Sequence, residues 1–463
     1  MIRRRQLLTM GAGAAALTAA GTLTGCSGFS NSQPPAGEPR GSGGSEGSGT
    51  TPQTLMCWGN PDQVKLFEKT LAKFTEESGI EVTVQSVPGG EYFKKINSMT
   101  MSNSLPDVFW ADNNSGVVAP MAANGKLYDW TSMLDNPPDG AGLDRADFGP
   151  GYLDLFTVDG KVIGMPQEVN TNGIYYNKRL LTEAGVTLPT PEWTWDDLFA
   201  AAEKLTVSEG GKVSRYGLQT GLTSINDAFG ASMYSVSNGG PGLAGDASTT
   251  FRGVTAIEAS AQFREGAQRF VDSVQAGGMN GPDFSTENTI ATFMNGELPL
   301  MYGGQWFTGF FSKKLVDDWG FVTMPKGSNG SVAILQGNAF CSPADLKDPL
   351  ATWKMIHYML TTGFNEAYAE IGITPLAYTP GSEGFFSFME KKATAEPGYA
   401  EVAKSVEADL ANPNKSGTTY LDKWANRAAD VTKAVWNPML NGKKPVAESV
   451  DDYVSQVRAL VQS

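Results

Sequence analysis

One histidine and three cysteines among 463 residues are the chain's clearest scarcities, and each removes a class of chemistry. A metal site built from several imidazoles cannot be assembled around His357 alone, and no H-E-x-x-H pattern occurs. His357 lies in an apolar helical stripe with Trp353, Ile356 and Leu360, where a packed or half-buried histidine is expected. The phosphate-cradling loop of P-loop proteins is missing too. The cysteines form no C-x-x-C pair, so structural zinc is not expected. Cys57 and Cys341 are left either to a disulfide, which an oxidising compartment permits, or to two buried thiols. Glycoside hydrolases need two carboxylates across a cleft. Asp196-Asp197 and Asp451-Asp452, however, read as helix starts or solvated faces. No catalytic set, metal or cofactor is expected.

Long apolar runs are scarce as well. The only extended small and apolar stretch, Met10 to Gly25, follows Arg3, Arg4 and Arg5. That order marks an export signal. The stretch is too short and too rich in Gly and Ala to span a bilayer, which takes about 20 apolar residues. Arg4-Arg5-Gln6-Leu7-Leu8 is similar to a twin-arginine signal. Leu23-Thr24-Gly25-Cys26 resembles a bacterial lipobox, which implies that Cys26 takes a lipid and becomes the mature N-terminus. Residues 26–51 are dominated by Gly, Ser and Pro. They bury too little apolar surface to offset ordering entropy, and read as a flexible tether. The expected location is the outer face of the cytoplasmic membrane.

Positive charge is in deficit: 35 Lys and Arg stand against 49 Asp and Glu, a net −14. Removing the three signal arginines leaves 32 against 49, a net −17. An acidic chain of this kind is a poor partner for nucleic acid.

What is present from residue 52 onward exceeds one compact core, so two lobes are expected. Leu55-Met56-Cys57-Trp58 reads as a strand. Val64, Phe67, Leu71 and Phe74 follow at helical spacing, then Ile80 to Gln85 alternate as a strand. Asp107 to Trp110 form another short strand, and Val162 to Pro166 and Gly173 to Tyr176 add two more. Trp195, Leu198, Ala202 and Leu205 mark a helix opened by Thr194 and Asp197. Phe263 to Val274 mark a longer helix, and Leu298 to Tyr302 a strand stopped by Gly303-Gly304. Strands alternating with helices predict an α/β fold with largely parallel sheets.

Aromatic and amide residues fall where strands give way to loops. Trp58, Trp110, Trp306 and Trp424 are accompanied by Asn60, Asp112, Asn113, Asn170, Asn172, Gln305 and Asn338. Indole faces stack on the C–H faces of a pyranose, and planar amides and carboxylates serve its hydroxyls. Ligands of open α/β sheets bind beyond the carboxyl ends of strands. Trp193, Trp195, Trp319 and Trp353 are left to packing.

Four segments carry a family likeness: Leu105–Trp110; Gly164-Met165-Pro166 leading to Tyr175-Tyr176-Asn177-Lys178, Ala184-Gly185-Val186 and Trp195–Thr206; Phe293–Glu297 into Gly304-Gln305-Trp306; and Gly372-Ile373-Thr374-Pro375. Over nearly all of residues 54–463 the chain resembles the extracellular solute-binding proteins of ABC sugar importers, of the maltodextrin-binding type. The resemblance implies a two-lobed periplasmic-binding-protein-like fold of type II, each lobe a mostly parallel sheet flanked by helices, joined by a hinge. It divides the chain into lobe 1 at 52–168 with a return at about 316–364, and lobe 2 at 169–315 with a C-terminal part at about 365–463. It implies a monomer that closes on a carbohydrate and docks on transmembrane permease subunits. Position by position it points to Trp58, Asn60, Trp110 with Asp112 or Asn113, Asn170, Trp306 and, loosely, Trp424. Asn338 falls where the chain returns through the first lobe. The family's next cleft loop falls near Gln219 to Asn226, where this chain has no aromatic residue. Another small solute remains an alternative: a peptide, a polyamine, or a glycerol phosphodiester held by Arg252 or Arg427; a more distant one is a lipid-anchored glycoside hydrolase using two of the acids.

Replacing Cys26 with Ser is expected to move the protein from the membrane pellet to the soluble fraction of the producing cells, as read by fractionation and immunoblot.

Overall fold

The computed structural model describes residues 49–113, 116–222, 229–245, 253–311, 314–417, 422 and 424–462, without the side chain of Asn426. Residues 1–48, which include Cys26 and the segments expected to be an export signal and most of a tether, and Arg252 lie outside the described residues. Gly49 and Thr51 donate backbone N–H bonds to Asp348, the cap of the helix Pro349–Tyr358.

Two main sheets use strands β1 (Gln53–Cys57), β2 (Val82–Ser86), β3 (Val108–Asp112), β4 (Met165–Pro166), β5 (Asn172–Asn177), β6 (Leu218–Gln219), β7 (Leu300–Gly304), β8 (Trp319–Thr323) and β9 (Asn338–Cys341). The first sheet has the order β2-β1-β3-β9-β4 and the second β6-β7-β5-β8. In the first, β1 runs parallel to β2 and β3, with Leu55 beside Val84 and Val108. β9 lies antiparallel to both β3 and β4.

The helix Pro61–Ser78 covers this sheet because Phe67, Leu71 and Phe74 share one buried face. Phe67 stacks on Phe364, their ring centroids 5.0 Å apart. Each such side chain contributes about 1.5–3 kcal/mol by leaving water. Gly79, at φ 72°, ends the helix in the left-handed conformation that glycine adopts without steric cost.

The second sheet departs from the expected largely parallel pattern. Only β6 and β7 pair in parallel; β5 is antiparallel to both β7 and β8. The reason is where the chain enters. β5 starts beside the first lobe at Asn172 and must run away from it. β7 and β8 run toward the first lobe, ending with Gly304 opposite Asn172 and Thr323 opposite Gly173. β5 is buried along its whole length. Ile174 and Tyr176 enter the core under the helices Trp195–Leu205 and Ala261–Gln275. Tyr175 enters a separate aromatic layer with Phe293, Trp319 and Phe321.

Gly303 and Gly304 do not stop β7, as expected from sequence, but complete it. The rings of Phe307 and Trp306 fill the space their Cβ atoms would need, so only glycine keeps the strand straight beneath those rings.

Three crossings join the lobes: 167–171, 336–338 and 374–377. They pair as short extended segments, with Glu168 opposite Leu376 and Asn170 opposite Gln336. The second crossing comes later than the expected 316, because β8 supplies an edge of the second sheet. The third comes later than 364, because Phe364 and Tyr368 belong to the first core.

Cys57 and Cys341 are free and buried rather than joined. Burial pushes both thiols up to about 12, with Glu68 adding to the effect at Cys57. A form starting after Cys26 is expected to show no thiol reactive to Ellman's reagent when native and two in guanidinium chloride without reductant. Zero in the denatured protein would mean a disulfide.

Candidate ligand-binding cleft

Strands that end at the crossings deliver their next residues to one place. After β1 comes Trp58, and at the end of β3 come Trp110 and Asp112. Beyond β4 lie Glu168 and Asn170, and after β7 come Trp306 and Phe310. Gln336 and Asn338 lead into β9. These residues line one cavity of about 230 Å³, together with Gln63, Phe67, Tyr368 and Ile373. Trp306 and Phe310 come from the second lobe; Trp58, Trp110 and Asp112 come from the first.

The indoles are held in place. Tyr92 donates its hydroxyl to the carbonyls of Met56 and Trp110, at 3.0 and 2.9 Å, pinning the ends of β1 and β3 together. Trp58 then meets Trp110 edge-on, 5.1 Å between centroids and 85° between planes. Trp110 is buried, and its Nε1–H has no partner among the described residues.

The polar side of the cavity is set by strand register. Asn338 pairs opposite Asp112, and its side-chain amide donates to the Glu168 carboxylate. Glu168 is only 7% exposed. Burial pushes its carboxyl up to about 8; hydrogen bonds from Asn338 and Asn170 oppose the rise and the charge of Asp112 adds to it.

Six residues expected at the site meet here: Trp58, Trp110, Asp112, Asn170, Trp306 and Asn338. Four do not. Asn60 caps the helix Pro61–Ser78, its Oδ1 accepting from the N–H groups of Asp62 and Gln63, while Gln63 reaches back to the Asn60 N–H. Asn113 accepts the Gly337 N–H through Oδ1 at 2.9 Å and so fastens β3 to the second crossing. Asn172 is buried at the start of β5 and does not line the cavity. Trp424 is buried in the second-lobe core beneath the C-terminal helices. Gln305 serves the hinge instead: its Nε2 donates to the Val169 carbonyl and to Thr374, both at 2.8 Å, and its Oε1 accepts the Thr171 N–H at 2.7 Å. The stretch from Gln219 to Asn226 lies partly outside the described residues; Gln219 itself accepts from Thr289.

Glu168 and Gln336 went unmarked in the sequence, although a signal existed. Each stands two residues before a marked amide, and alternate residues of an extended segment share a face. Phe67 and Tyr368 look like ordinary helix core, and no local pattern separates them from it.

Residues 59–366 match the profile of the bacterial extracellular solute-binding protein family. The chain belongs to that family. The maltodextrin-binding protein MdxE of Bacillus subtilis is 23% identical over 399 residues, covering 84% of this chain and 86% of that protein. The sn-glycerol-3-phosphate-binding periplasmic protein UgpB of Brucella abortus is 28% identical over 169 residues, 35% of this chain and 38% of that one. Among solved structures, an ABC substrate-binding protein of Listeria monocytogenes in complex with cycloalternan superposes with a TM-score of 0.70. It is 21% identical, with 89% of this chain and 98% of that chain covered. The cyclic alpha-maltosyl-1,6-maltose binding protein of Arthrobacter globiformis gives 0.69 at 18% identity, with 89% and 99% covered. The two-lobed α/β fold is thereby established, and the family is not an enzyme class. No described helix is long and apolar enough to cross a membrane.

The raised Glu168 carboxyl predicts a pH dependence. The folded state holds this proton more tightly than the unfolded chain, so its contribution to stability is complete below the ordinary carboxylate range. It is lost as pH rises toward about 8. Buried Asp409, pushed up to about 7 by burial, acts with the same sign. Glu168→Gln is expected to flatten the fall in unfolding free energy between pH 5 and 8, by up to about 1.4 kcal/mol per pH unit, in chemical denaturation series.

Proposed function

We propose that this chain is the substrate-binding lipoprotein of an ABC importer, that it captures a sugar or oligosaccharide between its lobes, and that it performs no catalysis. The carrying observation is the cavity in which indoles of both lobes, Trp58, Trp110 and Trp306, stand beside Asp112, Glu168, Asn170, Gln336 and Asn338. Rings of this kind take the C–H faces of a sugar, and amides and carboxylates take its hydroxyls. A ligand touching both lobes favours their closed arrangement through its differential affinity, and the closed form is the one a permease would accept. The names of the Bacillus relative and of the two solved structures point to maltodextrin and cyclic glucosaccharides, which supports a carbohydrate here.

The glycerol phosphodiester alternative fits the cavity poorly. None of the described lining residues is Lys, Arg or His, so none offers a phosphate a counter-charge. Arg427 is exposed and does not line this cavity. The export signal and the lipobox support attachment by Cys26 to the outer face of the cytoplasmic membrane, with transmembrane permease subunits as partners.

Titration calorimetry against mono- and oligosaccharides, with small-angle scattering, tests the reading. A bound sugar that shrinks the radius of gyration supports it, and a panel without any binding sugar overturns it. Trp306→Ala is expected to weaken binding of any sugar found by about 1–3 kcal/mol, roughly 5- to 150-fold, with the thermal midpoint of the free protein little changed.

A further inference from the structure

The cavity-facing rings of the second lobe stand on a weak support. Trp306 and Phe310 belong to one 3-10 helix, Gln305–Phe310, which follows directly on β7. The i→i+3 hydrogen bonds of such a helix have poor geometry, and few of these helices run as long as this one. Phe310 is 46% exposed and Trp306 is half-buried, so neither ring is locked in a core.

What fixes this helix is its first residue. Gln305 is fully buried. Its backbone N–H donates to the Thr171 carbonyl at 3.0 Å, and its Oε1 accepts the Thr171 N–H at 2.7 Å. Its Nε2 donates at 2.8 Å to the Val169 carbonyl and to Thr374 Oγ1, and lies 3.4 Å from Asn170 Oδ1. One turn on, the Thr308 hydroxyl lies 2.8 and 3.2 Å from the carbonyls of Gln305 and Gly372. The partners outside the helix all lie on or just before the first and third crossings. The first of these crossings carries Glu168 and Asn170 into the cavity.

A half-exposed ring takes its direction from the backbone beneath it, and here that backbone is bonded to the crossings through one side chain. We infer that Gln305 is the positioning residue of the cleft: without lining the cavity, it holds the Trp306 ring in register with the cavity groups of the first crossing. The inference deepens the sugar-binding reading and rests on it for what the aligned groups bind. A residue that merely satisfied buried backbone would stabilise the fold without directing Trp306.

Fluorine NMR separates the two roles without any ligand. Protein labelled with 5-fluorotryptophan gives a line for each indole, and Trp306→Phe identifies the line of Trp306. Gln305→Met keeps the length of the side chain and removes its donors and acceptor. In that variant the Trp306 line is expected to shift or split, while the lines of Trp193, Trp195 and Trp353, assigned in the same way, hold. A Trp306 line that stays in place overturns the inference. Should Gln305→Met fail to fold, Thr374→Val removes the hydroxyl shared by Gln305 and Val169 and is expected to move the same line.

Titration calorimetry with glucose, maltose to maltohexaose and cycloalternan reads the consequence. Gln305→Met is expected to weaken the tightest of these sugars about 10-fold, but no more than about 3-fold beside Trp306→Ala, because both changes act through one ring. Equal losses in the two backgrounds overturn the inference and leave the sugar reading standing. If none of these sugars binds, that result counts against the sugar reading alone, and the Trp306 line supports or overturns the positioning.

Discussion

Three extended segments crossing between the lobes must bury their backbone and still satisfy it, and the functional geometry depends on how they do so. Gln305 supplies most of the answer. Its amide bonds to Val169, Thr171 and Thr374, so one side chain from the second lobe ties the first crossing to the third. Thr374 adds a bond of its own to the Val169 carbonyl. Each bond is worth about 1 kcal/mol net, but the groups left unpaired without it would cost about 1–3 kcal/mol apiece. The crossings therefore behave as a ribbon in register rather than as loose linkers, and a ribbon in register aims its alternate side chains.

That alternation explains why the cavity is polar on one side and aromatic on the other. Residues 168 and 170 on one crossing and 336 and 338 on its neighbour face the same space. Strands arriving at the hinge from either lobe deliver aromatic residues to its edges: Trp58 and Trp110 from one lobe, Trp306 from the other. A carboxyl group placed inside such a ribbon loses its water. Burial consequently favours the protonated form of Glu168.

Asn60, Asn113 and Asn172 show how far residue type can mislead. All three are amides beside strand ends, the placement that suits a sugar site. Yet Asn60 satisfies the orphan N–H groups of a helix start, Asn113 fastens a strand to the hinge, and Asn172 opens a buried strand. Asn60 and Asn113 have backbone partners closer than any ligand, and burial alone keeps Asn172 from the cavity.

The amino-acid sequence by itself determined the two-lobed α/β class, the main helices and most strands. It also determined which tryptophans are candidates for a sugar. These follow from periodicity, turn residues and composition, all local along the chain. Tertiary structure alone decided strand direction in the second sheet, the points of crossing, the burial of Trp424, the free state of Cys57 and Cys341, and the presence of Glu168 beside Asp112. Each of those depends on which distant segments become neighbours: Asp112 meets Asn338 across 226 residues of chain only because β9 leaves the hinge where β3 arrives at it.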